Sequence, residues 1–140
     1  STLFPYTTLF RSESGTELKD YKVLCFGGVP KLIELHTGRF TANYYQDFYN
    51  TDWEKLDMNQ QNEISSPDIA PKPSCLDEML RLSGVLSKNI PHVRIDWYII
   101  SGKLYFGEIT FFDASGFDQF NDIKDDFLLG SWIDLSGVKA

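Results

Sequence analysis

The chain has 140 residues, 42% of them hydrophobic and 15% aromatic, which is enough apolar material for the core of one domain or of part of a larger one. Its formal net charge of −7 disfavours a nucleic-acid groove, because neutralising phosphates requires clustered Lys and Arg. No apolar run approaches the roughly 18 residues of a transmembrane helix, and the widely separated Cys25 and Cys75 indicate reduced thiols in a cytoplasmic protein.

The first twelve residues, Ser1 to Ser12, are unlike the rest of the chain. Their sequence, STLFPYTTLFRS, looks like the in-frame translation of a sequencing-library adapter, so we expect residues 1–12 to be a non-native leader outside the fold. A short apolar leader or an edge strand is the alternative. If the adapter interpretation holds, residues 13–140 form a partial domain and the natural coding sequence continues upstream.

A first hairpin is predicted after a polar loop at 13–20. Two strand-like runs, Tyr21–Phe26 and Lys31–Leu35, are joined through Gly27-Gly28-Val29-Pro30, whose glycines permit positive φ. Alternation places Asp20 and Lys22 on one face of the first strand, together with two apolar residues. Lys22 is therefore either a lysine that extends its ammonium along an apolar surface to solvent or a phosphate ligand.

The segment 36–53 is rich in aromatic and strand-forming residues. His36 has no nearby Ser or Cys arranged as a nucleophile system, so we expect a structural or surface histidine. The following stretch, 59–73, contains three prolines and few apolar residues and predicts a loop.

A helix is predicted to start at Pro73–Ser74. Ser74 is followed three residues later by Asp77, an arrangement that resembles a capping box. Apolar residues at helical spacing predict one buried face that covers the sheet. Those residues are Leu76, Met79, Leu80, Leu86 and Ile90.

A C-terminal helix is predicted over Phe117–Leu129, with Gly130 as its stop signal. Its apolar residues at helical intervals are Phe117, Phe120, Ile123, Phe127 and Leu128. The aspartates between them are explained by a solvated helix face.

A second hairpin, between the two helices, carries the polar residues on which the functional interpretation depends. Two apolar runs meet at Ser101–Gly102 within the stretch 94–116. The polar side chains come in two pairs, each on one face of one strand: Arg94 with Asp96, and Glu108 with Thr110.

The turn decides whether these pairs meet. A two-residue turn at Ser101–Gly102 pairs Asp96 with Gly107 and turns Glu108 to the opposite face. A three-residue loop, Ser101–Lys103, with a bulge pairs Asp96 with Glu108 instead. The converging carboxylates would then be either a cross-strand ion pair with arginine on a solvated face or ligands for a hard cation such as Mg²⁺.

The ordered series of motifs resembles the TupA-like branch of the ATP-grasp superfamily. The matching residues are D-Y-K-V-L-C-F-G-G-V-P-K at 20–31, R-I-D-W-Y at 94–98, G-K-L-Y-F-G-E-I-T-F-F at 102–112 and S-G-F at 115–117. With the predicted elements, the resemblance implies an α+β fold that is the C-terminal lobe of an ATP-grasp fold. This lobe would be an antiparallel β-sheet with a covering helix and a C-terminal helix.

The resemblance also implies roles for individual residues. Asp96 and Glu108 would bind Mg²⁺, and Thr110, which stands where the wider superfamily usually has Asn, would add a hydroxyl oxygen. Lys22 and Arg94 would be the catalytic cations beside the transferred phosphate. The implied ATP-binding residues are Asp20, Arg39, Ser115 and Gly116, and for Arg39 a surface arginine packed on an aromatic ring is the alternative.

The chemistry that the resemblance implies has two steps: ATP phosphorylates a carboxylate, and an amine or another nucleophile then attacks the acyl phosphate. Relatives in this branch are associated with cell-surface polysaccharide or teichuronopeptide synthesis, and some are labelled glycosyltransferases, so the acceptor would be a small molecule, a glycan or a peptide. The segments that clamp adenine would lie upstream, so we expect the chain by itself to be inactive. A noncatalytic domain that binds carbohydrate or protein through its many Tyr and Trp residues is the alternative.

Overall fold

The structure is a computed structural model that describes residues 19–39, 41–111 and 119–137. The adapter-like leader at 1–12, and with it the expected start of the domain, lies outside these residues. Among the residues described, no helix is long and apolar enough to cross a membrane.

Six antiparallel strands and two helices form the described part of the chain, which confirms the predicted α+β class. The sheet order is β4-β3-β2-β1-β5-β6. The elements are β1 (Asp20–Phe26), β2 (Val29–Thr37), β3 (Tyr45–Tyr49), β4 (Lys55–Leu56), α1 (Leu76–Leu86), β5 (Val93–Ile100), β6 (Lys103–Phe111) and α2 (Ile123–Ser131).

One face of the sheet is mainly apolar where β1, β2 and β5 meet, and α1 covers it there. Val23 of β1 and Ile95 of β5 are fully buried there beneath Leu76 and Met79 of the helix. This agrees with the prediction that the first helix covers the sheet. At roughly 1.5–3 kcal/mol for each large apolar side chain removed from water, this layer is the main source of stability.

Two details of α1 differ from the prediction. The residue before the helix is Cys75, and no side chain caps the first turn, so the capping role predicted for Ser74 is wrong. Leu86, which was predicted to lie on the buried face, is 41% exposed. The buried side of α1 continues instead to Ser87, the residue just after the helix, which is fully buried. One residue corresponds to about 100° of rotation around the helix, which turns Leu86 away from the core.

The opposite face of the sheet is divided between an apolar half and a polar half. The apolar half packs Leu24, Leu32 and Phe48 against Phe120 and Leu129. The polar half carries charged side chains from β1, β2, β5 and β6 and contains the candidate functional site.

The C-terminal helix begins later than predicted and buries a different side. Asp122 caps it by accepting a hydrogen bond from the Lys124 backbone N–H, so the helix starts at Ile123 rather than Phe117 and runs through Gly130. Ile123 and Phe127 are consequently 68% and 71% exposed, and Leu129 is the apolar residue of this helix that reaches the core. Phe120 is buried as predicted, but it precedes the helix and forms a bridge with Gln60.

The β5–β6 hairpin combines features of both alternatives considered for it. Its turn has two residues, Ser101 and Gly102, with φ of 51° and 75°, so the three-residue loop is wrong. Asp96 nevertheless pairs with Glu108 because Gly107 is an extra residue between the pairs Asp96↔Glu108 and Trp97↔Phe106. The bulge lies within the strand rather than at the turn.

Gly107 is required at this bulge because the backbone of β5 passes close to it. A Cβ there would lie 2.9 Å from both the carbonyl oxygen of Asp96 and Cε2 of Tyr98. We expect Gly107→Ala to lower the free energy of unfolding by about 1–3 kcal/mol, as overpacking typically does. Urea denaturation measures this loss.

Gly130→Ala is the matched control. It adds the same methyl group inside α2, where a Cβ would meet no atom within 4 Å. Alanine is the better helix former, so this variant should be unchanged or more stable by up to about 1 kcal/mol. A Gly107→Ala protein as stable as the Gly130→Ala protein would show that the bulge does not depend on glycine.

Candidate functional site

Four charged side chains form a row across the polar half of the sheet, on neighbouring strands. The strand registers place Glu34 opposite Lys22, Lys22 opposite Asp96, and Asp96 opposite Glu108. We call Glu34, Lys22, Asp96 and Glu108 the polar row. Because residues paired directly across strands have Cβ atoms about 4.5–5.5 Å apart, each member of the row lies beside the next.

Asp96 is the most heavily bonded member of the polar row. Its Oδ2 accepts hydrogen bonds from Lys22 Nζ at 2.8 Å and Arg94 Nη2 at 3.0 Å, and its Oδ1 accepts one from Arg94 Nε at 2.8 Å. Asp96 is only 4% exposed, so its charge would be costly without these two cations.

Arg94 is held in its charged form. Burial by itself would lower the pKa of the guanidinium, but hydrogen bonding to Asp96 and the negative charges of Asp96, Glu34 and Glu108 outweigh burial, so the pKa is raised. The guanidinium also donates to the Thr110 hydroxyl at 3.3 Å.

Glu108 is the open end of the polar row. Its Oε1 lies 3.6 Å from Arg94 Nη2, and its side chain is 41% exposed. The three residues predicted to bind metal, Asp96, Glu108 and Thr110, thus lie together on one face around Arg94, as the bulged pairing requires.

Two carboxylates opposite one another suit Mg²⁺, which typically binds one or two protein carboxylates together with phosphate oxygens and water. Within the described residues, no group of three or more His, Cys, Asp and Glu side chains could hold a metal by itself. The residues fit a metal site that is completed by a ligand.

Asp20 and Arg39, both predicted to bind ATP, are bonded to each other. Arg39 Nη2 lies 2.7 Å from Asp20 Oδ2, and about a third of the Arg39 side chain is exposed. Asp20 precedes Lys22 by two residues on β1, so this ion pair lies on the same face as the polar row. The other two predicted ATP-binding residues, Ser115 and Gly116, lie outside the described residues.

A hydrogen-bonded network around Glu34 was missed by the sequence prediction. Glu34 Oε1 accepts from His36 Nε2 and from Gln46 Nε2, both at 2.6 Å, and His36 Nδ1 is bonded to the Tyr44 hydroxyl. His36 is therefore a structural histidine with partners on both ring nitrogens, as expected. The sequence does show that Glu34 and His36 alternate in β2 and so share one face of the strand. Which face of the sheet that is depends on a bulge in β2: Lys31 is an extra residue between the pairs Cys25↔Pro30 and Leu24↔Leu32.

Glu34 is stabilised as an anion. Burial by itself would raise its pKa, but hydrogen bonds from His36 and Gln46 and the positive charge of Lys22 outweigh burial, so the pKa is lowered from 4.5. A carboxyl group with a lowered pKa in the folded state stabilises the fold above its unfolded-state pKa, and this contribution is lost as the pH falls through the folded-state value.

We therefore expect Glu34→Gln to lower the free energy of unfolding at pH 7 by about 1.5–3 kcal/mol, the range for hydrogen bonds to charged groups. The difference from wild type should shrink as the pH falls below about 4.5. Urea unfolding at pH 7 and at pH 3.5 measures both effects, with exposed Glu54→Gln as the control. An equal loss at both pH values would contradict a stabilising role for the charge of Glu34.

Comparison with known proteins identifies the chain's family. The family model described as TupA-like ATPgrasp matches residues 8–134. No curated protein and no solved structure matches the chain significantly. Since the family match spans nearly the whole chain, this protein belongs to the TupA-like ATP-grasp family.

Proposed function

We propose that this protein takes part in the ATP- and Mg²⁺-dependent activation of a carboxylate through an acyl phosphate. The observation that carries the proposal is the polar row, in which the Asp96–Glu108 pair lies beside the cations Lys22 and Arg94. Membership of an ATP-grasp family supports the general kind of chemistry.

Asp96 and Glu108 would hold Mg²⁺, and the Thr110 hydroxyl beside them would contribute an oxygen or position a water. When bound, the ion would neutralise phosphate oxygens and polarise the transferred phosphoryl group. The structure supports this assignment by placing both carboxylates on one face, with Glu108 accessible to a ligand.

Lys22 and Arg94 would be the catalytic cations. Fixed positive charges near the transferred phosphoryl group stabilise the charge that develops in the transition state, and they are most effective where water is scarce. Arg94 is already oriented by Asp96 and Thr110, whereas Lys22 provides a point charge on a flexible stem.

Asp20 and Arg39 would contact the nucleotide from the neighbouring part of the same face, together with Ser115 and Gly116. Arg39 suits an anionic ligand because its guanidinium is partly exposed while Asp20 holds its orientation.

The product-forming step would be attack by an amine or another nucleophile on the acyl phosphate, with phosphate as the leaving group. We place this reaction in cytoplasmic synthesis of a cell-surface polysaccharide or teichuronopeptide, in which the acceptor is a small molecule, a glycan or a peptide.

Titration of the full-length gene product with Mg²⁺-ATP tests the proposal. We expect Glu108→Gln to weaken binding by about tenfold or more, equal to about 1.4 kcal/mol, because it removes a charged metal ligand. Asp96→Asn should weaken binding as well. Exposed Asp52→Asn makes the same chemical change on the surface and should leave binding unchanged.

Asp96→Asn can also destabilise the fold because it leaves Lys22 and Arg94 without their buried anion. Thermal denaturation of each variant separates a loss of binding from a loss of structure. Glu108→Gln is the decisive variant because its side chain is 41% exposed. If the folded Glu108→Gln protein binds Mg²⁺-ATP as tightly as wild type, the proposed metal site is wrong.

A further inference from the structure

Both carboxylate oxygens of Asp96 are already bonded to cations. Oδ1 accepts from Arg94 Nε, and Oδ2 accepts from Lys22 Nζ and Arg94 Nη2, at distances of 2.8 to 3.0 Å. A metal ion that binds Asp96 must use one of these oxygens. Oδ2 already accepts two hydrogen bonds, so a metal that binds through Oδ2 requires one of its two cations to give up its contact.

Arg94 is the less exchangeable of the two cations. Its guanidinium contacts both oxygens of Asp96, donates to Thr110 and lies near Glu108, so four contacts fix its position. A planar guanidinium is also preorganised for this fork-like geometry. Displacing Arg94 would also break its contacts with Thr110 and Glu108 of β6.

Lys22 is the more exchangeable cation. It has one hydrogen bond to Asp96, through an ammonium on a four-carbon stem with several rotatable bonds. A second anion, Glu34, lies directly opposite Lys22 on β2, and the charge of Lys22 contributes to the lowered pKa of Glu34. Lys22 can therefore leave Asp96 without becoming an unpaired buried charge.

We propose that a divalent cation binds Glu108 and the Oδ2 atom of Asp96 by exchanging with the Lys22 ammonium, which is bonded to Oδ2 when no metal is bound. The proposal rests on the metal site of the proposed function and adds a competition within that site. Lys22 is then a positioning residue for metal binding in addition to a cation for phosphate.

The exchange couples metal binding to phosphate binding. An incoming phosphate gives the displaced Lys22 a second anionic partner, so metal and nucleotide each strengthen binding of the other. The metal alone binds weakly, because it must displace a bonded cation from a buried carboxylate.

A Mn²⁺ titration of the 140-residue chain tests this competition without nucleotide or turnover. Binding is measured as the loss of the electron paramagnetic resonance signal of free Mn²⁺. Lys22→Met should bind Mn²⁺ about tenfold more tightly than wild type, a change equal to about 1.4 kcal/mol. Lys22→Gln, which keeps a hydrogen-bond donor but removes the charge, should also bind more tightly. Asp96→Asn should bind more weakly than wild type.

Lys103→Met is the matched control, because Lys103 is exposed at the start of β6 and its loss changes the net charge by the same amount. If the Lys22 variants bind Mn²⁺ no more tightly than Lys103→Met, the exchange is wrong and the metal site of the proposed function stands. If no variant binds Mn²⁺, the exchange is wrong, and the Mg²⁺-ATP titration of Glu108→Gln decides the metal site separately. Thermal denaturation identifies whichever Lys22 variant is folded, and that variant decides the result.

Discussion

The polar face of this sheet depends on two one-residue bulges. Each hairpin has a two-residue turn, and in each a single extra residue, Lys31 in β2 or Gly107 in β6, shifts the register by one position. Side chains alternate between faces with a period of two, so a shift of one residue changes which face a side chain occupies. Without these bulges, Glu34 would not lie opposite Lys22, nor Glu108 opposite Asp96.

The aligned side chains place three carboxylates and two cations close together, at Glu34, Asp96, Glu108, Lys22 and Arg94. Such an arrangement is stable only if the buried charges are paired. Asp96 has two cationic partners and Glu34 has His36 and Gln46, whereas the unburied Glu108 requires less compensation. The buried members therefore have a structural role in addition to their proposed functional one, and the exposed member is the one a ligand can reach.

The same pairing explains how these buried charges are accommodated in the fold without a bound ligand. Under the proposed function, Lys22 and Arg94 neutralise Asp96 until metal and phosphate bring their own charges. The apolar side of the sheet, covered by α1, stabilises the strands that carry these charges.

The sequence by itself determined the class of fold, the strands of both hairpins, the covering helix and the identity of most polar residues on the candidate site. These features follow from local alternation, helical spacing and an ordered series of motifs. The turn at Ser101–Gly102 is also local, because its glycine permits the positive φ that a two-residue turn needs.

Only the tertiary structure decided how those residues meet. The bulge at Gly107 is set by the close approach of the Asp96 backbone and the Tyr98 ring, and the register of α2 is set by the Asp122 cap and the burial of Leu129. The Glu34 network joins residues from β2, β3 and the segment before β3, so no single stretch of sequence contains it. Contacts between distant residues determine the register at each of these points, and a shift of one residue changes which side chains share the site.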